Sequence, residues 1–142
     1  MNVLAPVSTI MTTNLITVNP ADTLAVVKEI FDENNIHHLP VVRYKKIVGI
    51  ISKTDFLYFL RGFNDNAEVA MIEDARLKVY TAEDIMTKGL AKVESTDRIL
   101  TVIDVLSINR FHAIPIVDND ELVGIVTTHD IIKTLASEGI AN

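Results

Sequence analysis

Residues 48–55 read VGIISKTD, and residues 123–130 read VGIVTTHD, 75 positions further along the chain. The likeness extends outward from this segment without a gap, so that residues 10–60 align with residues 85–135. Self-similarity at one constant spacing is typical of a chain built from two copies of one structural unit. The sequence therefore predicts two related folds and, because polar residues also repeat, two related sites.

Each copy shows the same order of predicted elements. In the first copy, residues 16–18 predict a short strand, and Asn19 and Pro20 predict a helix start with Asn19 as N-cap. Apolar residues at helical spacing follow. Residues 39–52 predict a hairpin of two strands around a polar turn, and a last helix is expected to begin near Thr54. Each unit is strand, helix, hairpin, helix, which defines an α+β fold.

The two copies are joined by residues 61–84, which are polar at 64–66 and have a helical pattern through Ala75. Thr81 and Asp84 predict a capping box at the start of a further helix. Because a single repeat is near the size at which a hydrophobic core becomes marginal, the two copies are expected to fold together. We therefore predict one domain over residues 1–142, with repeats at 10–60 and 85–135.

Composition narrows the class of protein. The chain is 49% apolar and has a formal net charge of −6, without cysteine. No apolar run is long enough to cross a bilayer, and no targeting segment begins the chain, so we expect a cytoplasmic protein without a membrane partner. The acidic balance opposes nucleic-acid binding, which needs clustered basic residues. A small anion needs only a few local donors and stays possible.

The repeated segments carry a family resemblance. They include IMT at 10–12 and 85–87, an apolar residue and proline at 39–40 and 114–115, and the two closing segments 49–55 and 124–130. Linked in this order, they resemble a pair of cystathionine β-synthase (CBS) domains, the Bateman module, over essentially the whole chain. The resemblance implies a pseudo-twofold pair that binds an adenine nucleotide, AMP, ADP or ATP, in clefts between the repeats. It also implies a regulatory or sensory role.

The closing segment has a physical interpretation of its own. Ser52 at a strand end and Asp55 three positions later offer a hydroxyl and a carboxylate beside the N–H groups of a helix start. A ribose diol can donate to the carboxylate, and the helix end attracts phosphate. Alternatively, Asp55 and its equivalent Asp130 only cap their helices.

The resemblance implies which residues form the two sites. The first site would combine Ser52, Thr54, Asp55, Thr87, Ala91 and His112. The second site would combine Thr127, His129, Asp130, Thr12, Ile16 and His37. His129 stands where the family usually has a small hydroxyl residue, so its imidazole either contacts phosphate or blocks the cleft. Candidate phosphate donors are Lys53, Lys92 and Arg110.

The histidines do not predict a metal site. His37 and His38 are neighbours on a predicted strand and would point to opposite faces. His37 and His112 occupy equivalent positions, where each is either a phosphate donor or an ordinary polar residue at a strand edge. No nucleophile–base pair or glycine-rich phosphate loop repeats. We therefore predict a binding protein that is not an enzyme and requires no cofactor.

The last helix of the first copy has an apolar surplus. Shared core positions are predicted at Phe56, Leu57 and Leu60 and their equivalents Ile131, Ile132 and Leu135. The surplus residues are Tyr58, Phe59 and Phe63, which align with Lys133, Thr134 and Glu138. Either residues 67–79 cover this surplus or it forms a homodimer contact.

The alternative function is a dimerising structural or interaction module, whose clefts are empty or hold another adenosyl ligand such as S-adenosylmethionine. An unidentified effector protein is a possible partner under either function.

Overall fold

The structure is a computed structural model that describes residues 1–61 and 67–141. Its contacts divide the chain into two compact units. The central unit is Ile16–Gly89, and the terminal unit consists of Met1–Leu15 together with Leu90–Asn142. The polar linker segment 64–66 and Phe63 lie outside the described residues. The prediction of one domain over residues 1–142 stays a prediction.

The central unit contains six elements in chain order. They are α1 (Leu24–Glu33), β1 (His38–Arg43), β2 (Lys46–Ser52), α2 (Lys53–Arg61), α3 (Ala67–Val79) and α4 (Ala82–Ile85). The terminal unit contains a short 3-10 helix and four longer elements. They are the 3-10 helix Val7–Thr9, α5 (Ile99–Ser107), β3 (Ala113–Asp118), β4 (Glu121–Thr127) and α6 (Thr128–Ala141). The mixed helix and strand fold predicted from the sequence is confirmed.

Each unit is built around one antiparallel hairpin, as predicted. Strand β1 pairs with β2, and β3 pairs with β4, with a register irregularity at the same place in each, after Val41 and after Ile116. Runs of consecutive buried residues in the strands pack each hairpin into a core. Leu39 and Ile51 are buried in the central unit, and their equivalents Ile114 and Val126 are buried in the terminal unit.

The first helix begins later than the sequence suggests. Helix α1 starts at Leu24 with Thr23 as N-cap, so the prediction of Pro20 at the first helical position is wrong. The Asn19 side chain accepts the Ala21 N–H at 2.9 Å, and the Asp22 carboxylate accepts the Asn19 N–H at 2.9 Å. These bonds close a turn, which is the competing use that Asn and Asp side chains have for nearby backbone N–H groups.

The predicted strand at residues 16–18 is reduced to a single bridge. Val18 lies parallel to Val41, with the Val18 N–H donating to the Pro40 carbonyl at 3.0 Å. The equivalent Val93 lies parallel to Ile116. Each hairpin therefore gains a short extended segment at its edge, and that segment comes from the same repeat.

The segments that precede these bridges pair with the opposite repeat. In the terminal unit, the Val7 N–H donates to the Asp97 carbonyl at 2.7 Å. In the central unit, the equivalent Ala82 N–H donates to the Asp22 carbonyl at 2.8 Å. The start of each sequence repeat therefore folds against the body of the other repeat. As a consequence, the compact units do not coincide with the repeats 10–60 and 85–135.

Helices α2 and α6 differ in how far their apolar side chains are buried by other elements. Leu60 in α2 is only 3% exposed, and Leu77 of α3 packs against the same core. In α6, Ile132 is 59% exposed and Leu135 is 51% exposed, so the prediction that these two are core positions is wrong. The physical reason is that α3 packs against α2, whereas the matching face of α6 has no comparable cover in the described part of the chain.

Part of the aromatic surplus on α2 is covered within the chain. The Arg76 guanidinium donates to the Phe59 carbonyl at 2.9 Å and lies 5.6 Å from the centre of the Phe59 ring. The Tyr80 ring meets Phe59 edge-on at 5.1 Å. Tyr58 is 70% exposed. Contacts within the chain thus account for the cover of Phe59.

Candidate functional site

The first candidate site lies where β2 runs directly into α2. Strand β2 ends at Ser52 and α2 begins at Lys53, so no loop separates them. The Ser52 hydroxyl accepts the Asp55 N–H at 3.0 Å and caps the helix. The Lys53 N–H donates to the His37 carbonyl at 2.8 Å, which ties the chain before β1 to the same junction.

Asp55 is exposed in the first turn of α2. Its carboxylate accepts no hydrogen bond from any residue in the ranges 1–61 and 67–141. A negative charge in the first turn is stabilised by the helix dipole. Both carboxylate oxygens are therefore available to accept hydrogen bonds from a ligand. The alternative that Asp55 only caps its helix does not describe this junction.

The second candidate site lies at the β4–α6 junction, and its hydrogen bonds differ. The Thr127 hydroxyl accepts the Asp130 N–H at 3.1 Å, as in the first site. Here, however, the Asp130 carboxylate also accepts the Thr127 N–H at 2.9 Å. The pair forms a reciprocal capping arrangement in which one carboxylate oxygen is occupied. Asp130 is half-buried, and the neighbouring His129 is exposed.

Two threonines are held beside these junctions by backbone pairing. In the central unit, the Thr87 N–H donates to the Ile50 carbonyl at 2.8 Å, and the Ile50 N–H returns a bond of 3.1 Å. In the terminal unit, Thr12 and Ile125 exchange the same pair of bonds, at 2.9 and 3.0 Å. Both threonine side chains are exposed. Each IMT segment therefore runs along the strand that leads into a candidate site.

Close packing of methionine on glycine positions these threonines. A Cβ atom placed on Gly49 would lie 2.5 Å from the Met86 sulfur and 2.9 Å from the Met86 Cβ. A Cβ atom on Gly124 would lie 2.6 Å from the Met11 sulfur. Only glycine leaves room for these contacts. The sequence analysis missed these four positioning residues, although their repetition at the same spacing was the available signal.

The predicted site residues divide between the two units. The central unit holds Ser52, Thr54, Asp55, Thr87, Ile16 and His37. The terminal unit holds Thr127, His129, Asp130, Thr12, Ala91 and His112. The structure thus brings Thr87 beside the strand that leads to Asp55, and Thr12 beside the strand that leads to Asp130. The assignment of Ala91 and His112 to the Asp55 site, and of Ile16 and His37 to the Asp130 site, stays a prediction.

Charged groups around the two junctions are sparse. Lys53 lies in the first turn of α2 and is half-buried, whereas Lys92 and Arg110 are exposed in the terminal unit. Within the described ranges, no three His, Cys, Asp or Glu side chains converge on a point where a metal ion could bind. Among the same residues, no helix has the length and apolar character needed to cross a bilayer.

The repeats and the strand–helix junctions agree with a known protein family. The family model described as "CBS domain" matches residues 7–62 and 82–137. The chain therefore belongs to the CBS-domain family and contains two such domains in tandem. The fold and the resemblance inferred from the sequence are both confirmed.

Curated relatives show that the match is to part of larger proteins. Inosine-5'-monophosphate dehydrogenase of Methanocaldococcus jannaschii is 33% identical over 122 residues, which cover 84% of this chain and 21% of that enzyme. The chain spans less than half the length of the first three curated relatives that it matches.

Solved structures of CBS pairs have the same fold. The structure of CBSX2 from Arabidopsis thaliana, solved in complex with AMP, is 22% identical with a TM-score of 0.76, and the match covers 94% of this chain and 97% of that chain. The CBS domain pair of protein MJ0100, solved with 5'-methylthioadenosine and S-adenosyl-L-methionine, is 26% identical with a TM-score of 0.73. That match covers 95% of this chain and 98% of that chain. Both of these similar proteins hold adenosyl ligands.

Proposed function

We propose that this chain is a regulatory module that binds an adenine nucleotide, AMP, ADP or ATP. The observation that carries the proposal is the uncommitted carboxylate of Asp55 in the first turn of α2. The two vicinal hydroxyls of a ribose can each donate to one oxygen of that carboxylate. The positive end of the helix dipole lies at the same place and favours an anionic phosphate.

The mechanism we propose is a shift between conformations that the ligand binds unequally. A nucleotide changes the balance of two states only by the difference between its affinities for them. The module would transmit this change to an effector protein and would catalyse no reaction itself. It needs no cofactor for this role, and we expect it to act in the cytoplasm without nucleic-acid or membrane partners.

A homodimer is part of the proposal. Tyr58 on α2 and Ile132 and Leu135 on α6 expose apolar area, at 70%, 59% and 51%. Exposed apolar area of this kind is buried when copies of a chain associate. Phe59 is a poor probe of that contact, because Arg76 and Tyr80 already pack against it and its replacement would also disturb the fold.

S-Adenosylmethionine is the second candidate ligand. The observation in its favour is the structure of the MJ0100 pair, which holds S-adenosylmethionine and methylthioadenosine and is 26% identical to this chain, against 22% for the AMP-bound structure. All these ligands share the ribose diol, so Asp55 serves each of them. What separates them is the group at the 5' position, which is a phosphate in one class and an uncharged or cationic sulfur group in the other.

Isothermal titration calorimetry would test both candidates. Wild type is titrated with AMP, ADP, ATP, S-adenosylmethionine and methylthioadenosine, and the tightest ligand is then titrated into Asp55→Asn. Losing a charge-assisted acceptor costs about 1.5 to 3 kcal/mol, which corresponds to roughly 10- to 150-fold weaker binding. Asp104→Asn is the matched control, because Asp104 is exposed on α5 and its side chain accepts no described hydrogen bond.

The proposal fails if no adenosyl ligand binds to the folded wild type. The assignment of Asp55 to the ligand site fails if Asp55→Asn binds the ligand as tightly as the control variant does. Preference for S-adenosylmethionine over all three nucleotides would select the second candidate.

A further inference from the structure

The two hairpin turns occupy equivalent positions in the repeats and carry opposite charges. Residues 43–46 read RYKK, and residues 118–121 read DNDE. We name them the basic turn and the acidic turn. Each contains three charged residues, and every cationic position of the basic turn aligns with an anionic position of the acidic turn.

The backbones of the two turns are nearly identical. Tyr44 and Lys45 have φ angles of 51° and 66°, and the equivalent Asn119 and Asp120 have φ angles of 51° and 64°. Asn and Asp adopt this left-handed conformation readily, which makes the acidic turn a common two-residue hairpin turn. Tyr and Lys adopt it at a cost. The turn geometry therefore does not account for the choice of Tyr and Lys in the basic turn.

The charges of the basic turn are largely unused within the chain. Arg43 is exposed and approaches Glu83 only to 3.9 Å, at the outer limit of an ion pair. Lys45 and Lys46 are exposed and form no ion pair with any residue of the described ranges. Tyr44 beside them is 91% exposed.

The acidic turn is anchored to its own unit by one of its three carboxylates. The Asp118 carboxylate accepts hydrogen bonds from the Ser95 N–H at 2.9 Å and from the Ser95 hydroxyl at 2.5 Å. Asp120 and Glu121 are exposed and have no cationic partner in the described part of the chain. Two free negative charges thus project from a fixed turn.

The charge of the basic turn indicates which kind of partner binds it. The net charge of −6 repels a nucleic acid, an anionic membrane and a second copy of the chain alike, so the local charge pattern has to select the partner. A second copy of this chain supplies the acidic turn at equal concentration and with matching backbone geometry. We propose that the basic turn of one copy binds the acidic turn of another copy. The contact makes self-association dependent on salt, since exposed charge pairs are screened.

Charge reversal and charge swap test this contact. Lys45→Glu with Lys46→Glu reverses the basic turn, Asp120→Lys with Glu121→Lys reverses the acidic turn, and a third variant carries all four changes. Arg43 and Asp118 are kept because they contact Glu83 and Ser95. The matched control for the basic turn is Lys88→Glu with Arg98→Glu, and the matched control for the acidic turn is Glu29→Lys with Asp104→Lys. Each makes the same change in net charge as the reversal it controls, at exposed positions that form no ion pair within the described ranges.

Sedimentation velocity at about 20 mM and about 300 mM NaCl measures association with and without strong attraction between surface charges. At low salt, each single-turn reversal is expected to raise the dissociation constant for self-association by about tenfold or more. The four-fold variant is expected to return close to wild type. A mixture of the two single-turn reversals should associate better than either alone, because one then carries two acidic turns and the other two basic turns.

Several results would overturn the proposal. They are a wild type that is monomeric at low salt, reversals that act no more strongly than their controls, and a four-fold variant that does not recover. Binding of the monomeric wild type to duplex DNA or to anionic vesicles would assign the basic turn to an external polyanion instead. Circular dichroism checks each variant, and Lys45→Gln with Lys46→Gln repeats the test if a reversal does not fold.

Discussion

The β2–α2 and β4–α6 junctions are copies of one sequence pattern, yet they use their aspartates differently. At the first, Ser52 alone caps the helix and the Asp55 carboxylate is uncommitted. At the second, Thr127 and Asp130 cap each other. A carboxylate that already accepts a backbone N–H has one oxygen fewer for a ribose diol. The comparison shows that a repeated motif can commit its carboxylate to a helix cap in one copy and leave it uncommitted in the other.

The helices that begin at these junctions also differ, in how much of their surface is buried. Helix α2 is packed by α3, whereas α6 leaves Ile132 and Leu135 exposed. Equivalent positions in the two repeats therefore contribute differently to the free energy of unfolding. The same substitution made at both positions can measure this difference.

The largest effect is expected from truncating one leucine at two equivalent positions. Leu60→Ala should lower the free energy of unfolding by about 2 to 5 kcal/mol, because it empties a buried position. Leu135→Ala should change it by less than about 1 kcal/mol, since that side chain is 51% exposed in the single chain. Urea unfolding of monomeric protein would compare the two. Equal losses would mean that α6 is covered as well as α2.

A smaller loss is expected from filling the space at Gly49. Gly49→Ala should cost about 1 to 3 kcal/mol and weaken nucleotide binding, because the new methyl group meets the Met86 sulfur at 2.5 Å and displaces the chain before Thr87. Chemical denaturation and calorimetry would follow both quantities. The double variant Gly49→Ala with Met86→Ala should recover part of the stability. No recovery would show that the cost has another origin.

The aspartates should separate stability from binding. Asp130→Ala removes a capping acceptor and should lower the free energy of unfolding by about 0.5 to 2 kcal/mol. Asp55→Ala should leave stability nearly unchanged, while it weakens nucleotide binding more than Asp130→Ala does. Thermal unfolding with and without AMP would measure both effects in one experiment. A reversed order of the two affinities would contradict the assignment of Asp55 as the stronger site.

The smallest effect concerns pH and distinguishes the acidic turn from its basic equivalent. Hydrogen bonds from the Ser95 hydroxyl and N–H hold the pKa of the Asp118 carboxyl below its usual value. A folded pKa below the unfolded one stabilises the fold at pH above the unfolded value. That contribution is lost as the pH falls through the folded value. Ser95→Ala should therefore flatten the acid limb of the stability–pH profile, measured by denaturation between neutral and acid pH.

Much of the fold follows from local sequence. The hairpins were predicted because two short apolar runs flank a polar turn in each repeat, and α5 because apolar residues such as Ile99 and Val102 recur at helical spacing. The start of α1 was not predicted, because Asn19 and Asp22 have two favourable local uses, as a helix cap or in a turn. Their sequence is compatible with both uses, and in the structure they close a turn before a helix that begins at the buried Leu24.

The candidate site was predicted in its residues but not in its bonding. Ser52, Asp55, Thr127 and Asp130 were selected from the repeated closing segment and from the family resemblance, because a hydroxyl and a carboxylate three positions apart at a helix start are recognisable in sequence. Which of the two carboxylates accepts a backbone N–H depends on the side-chain rotamer, which sequence spacing does not specify.

The sequence by itself determined the repeat, the family, the two hairpins and the residue types at both junctions, because these depend on local spacing and side-chain chemistry. Only the tertiary structure decided that the start of each repeat pairs with the body of the other, as at Thr12 with Ile125 and Thr87 with Ile50. It also decided that α2 is covered by another helix and that part of α6 is exposed. The physical reason is that long-range pairing and burial depend on which surfaces meet, and two copies with the same local pattern can meet different neighbours.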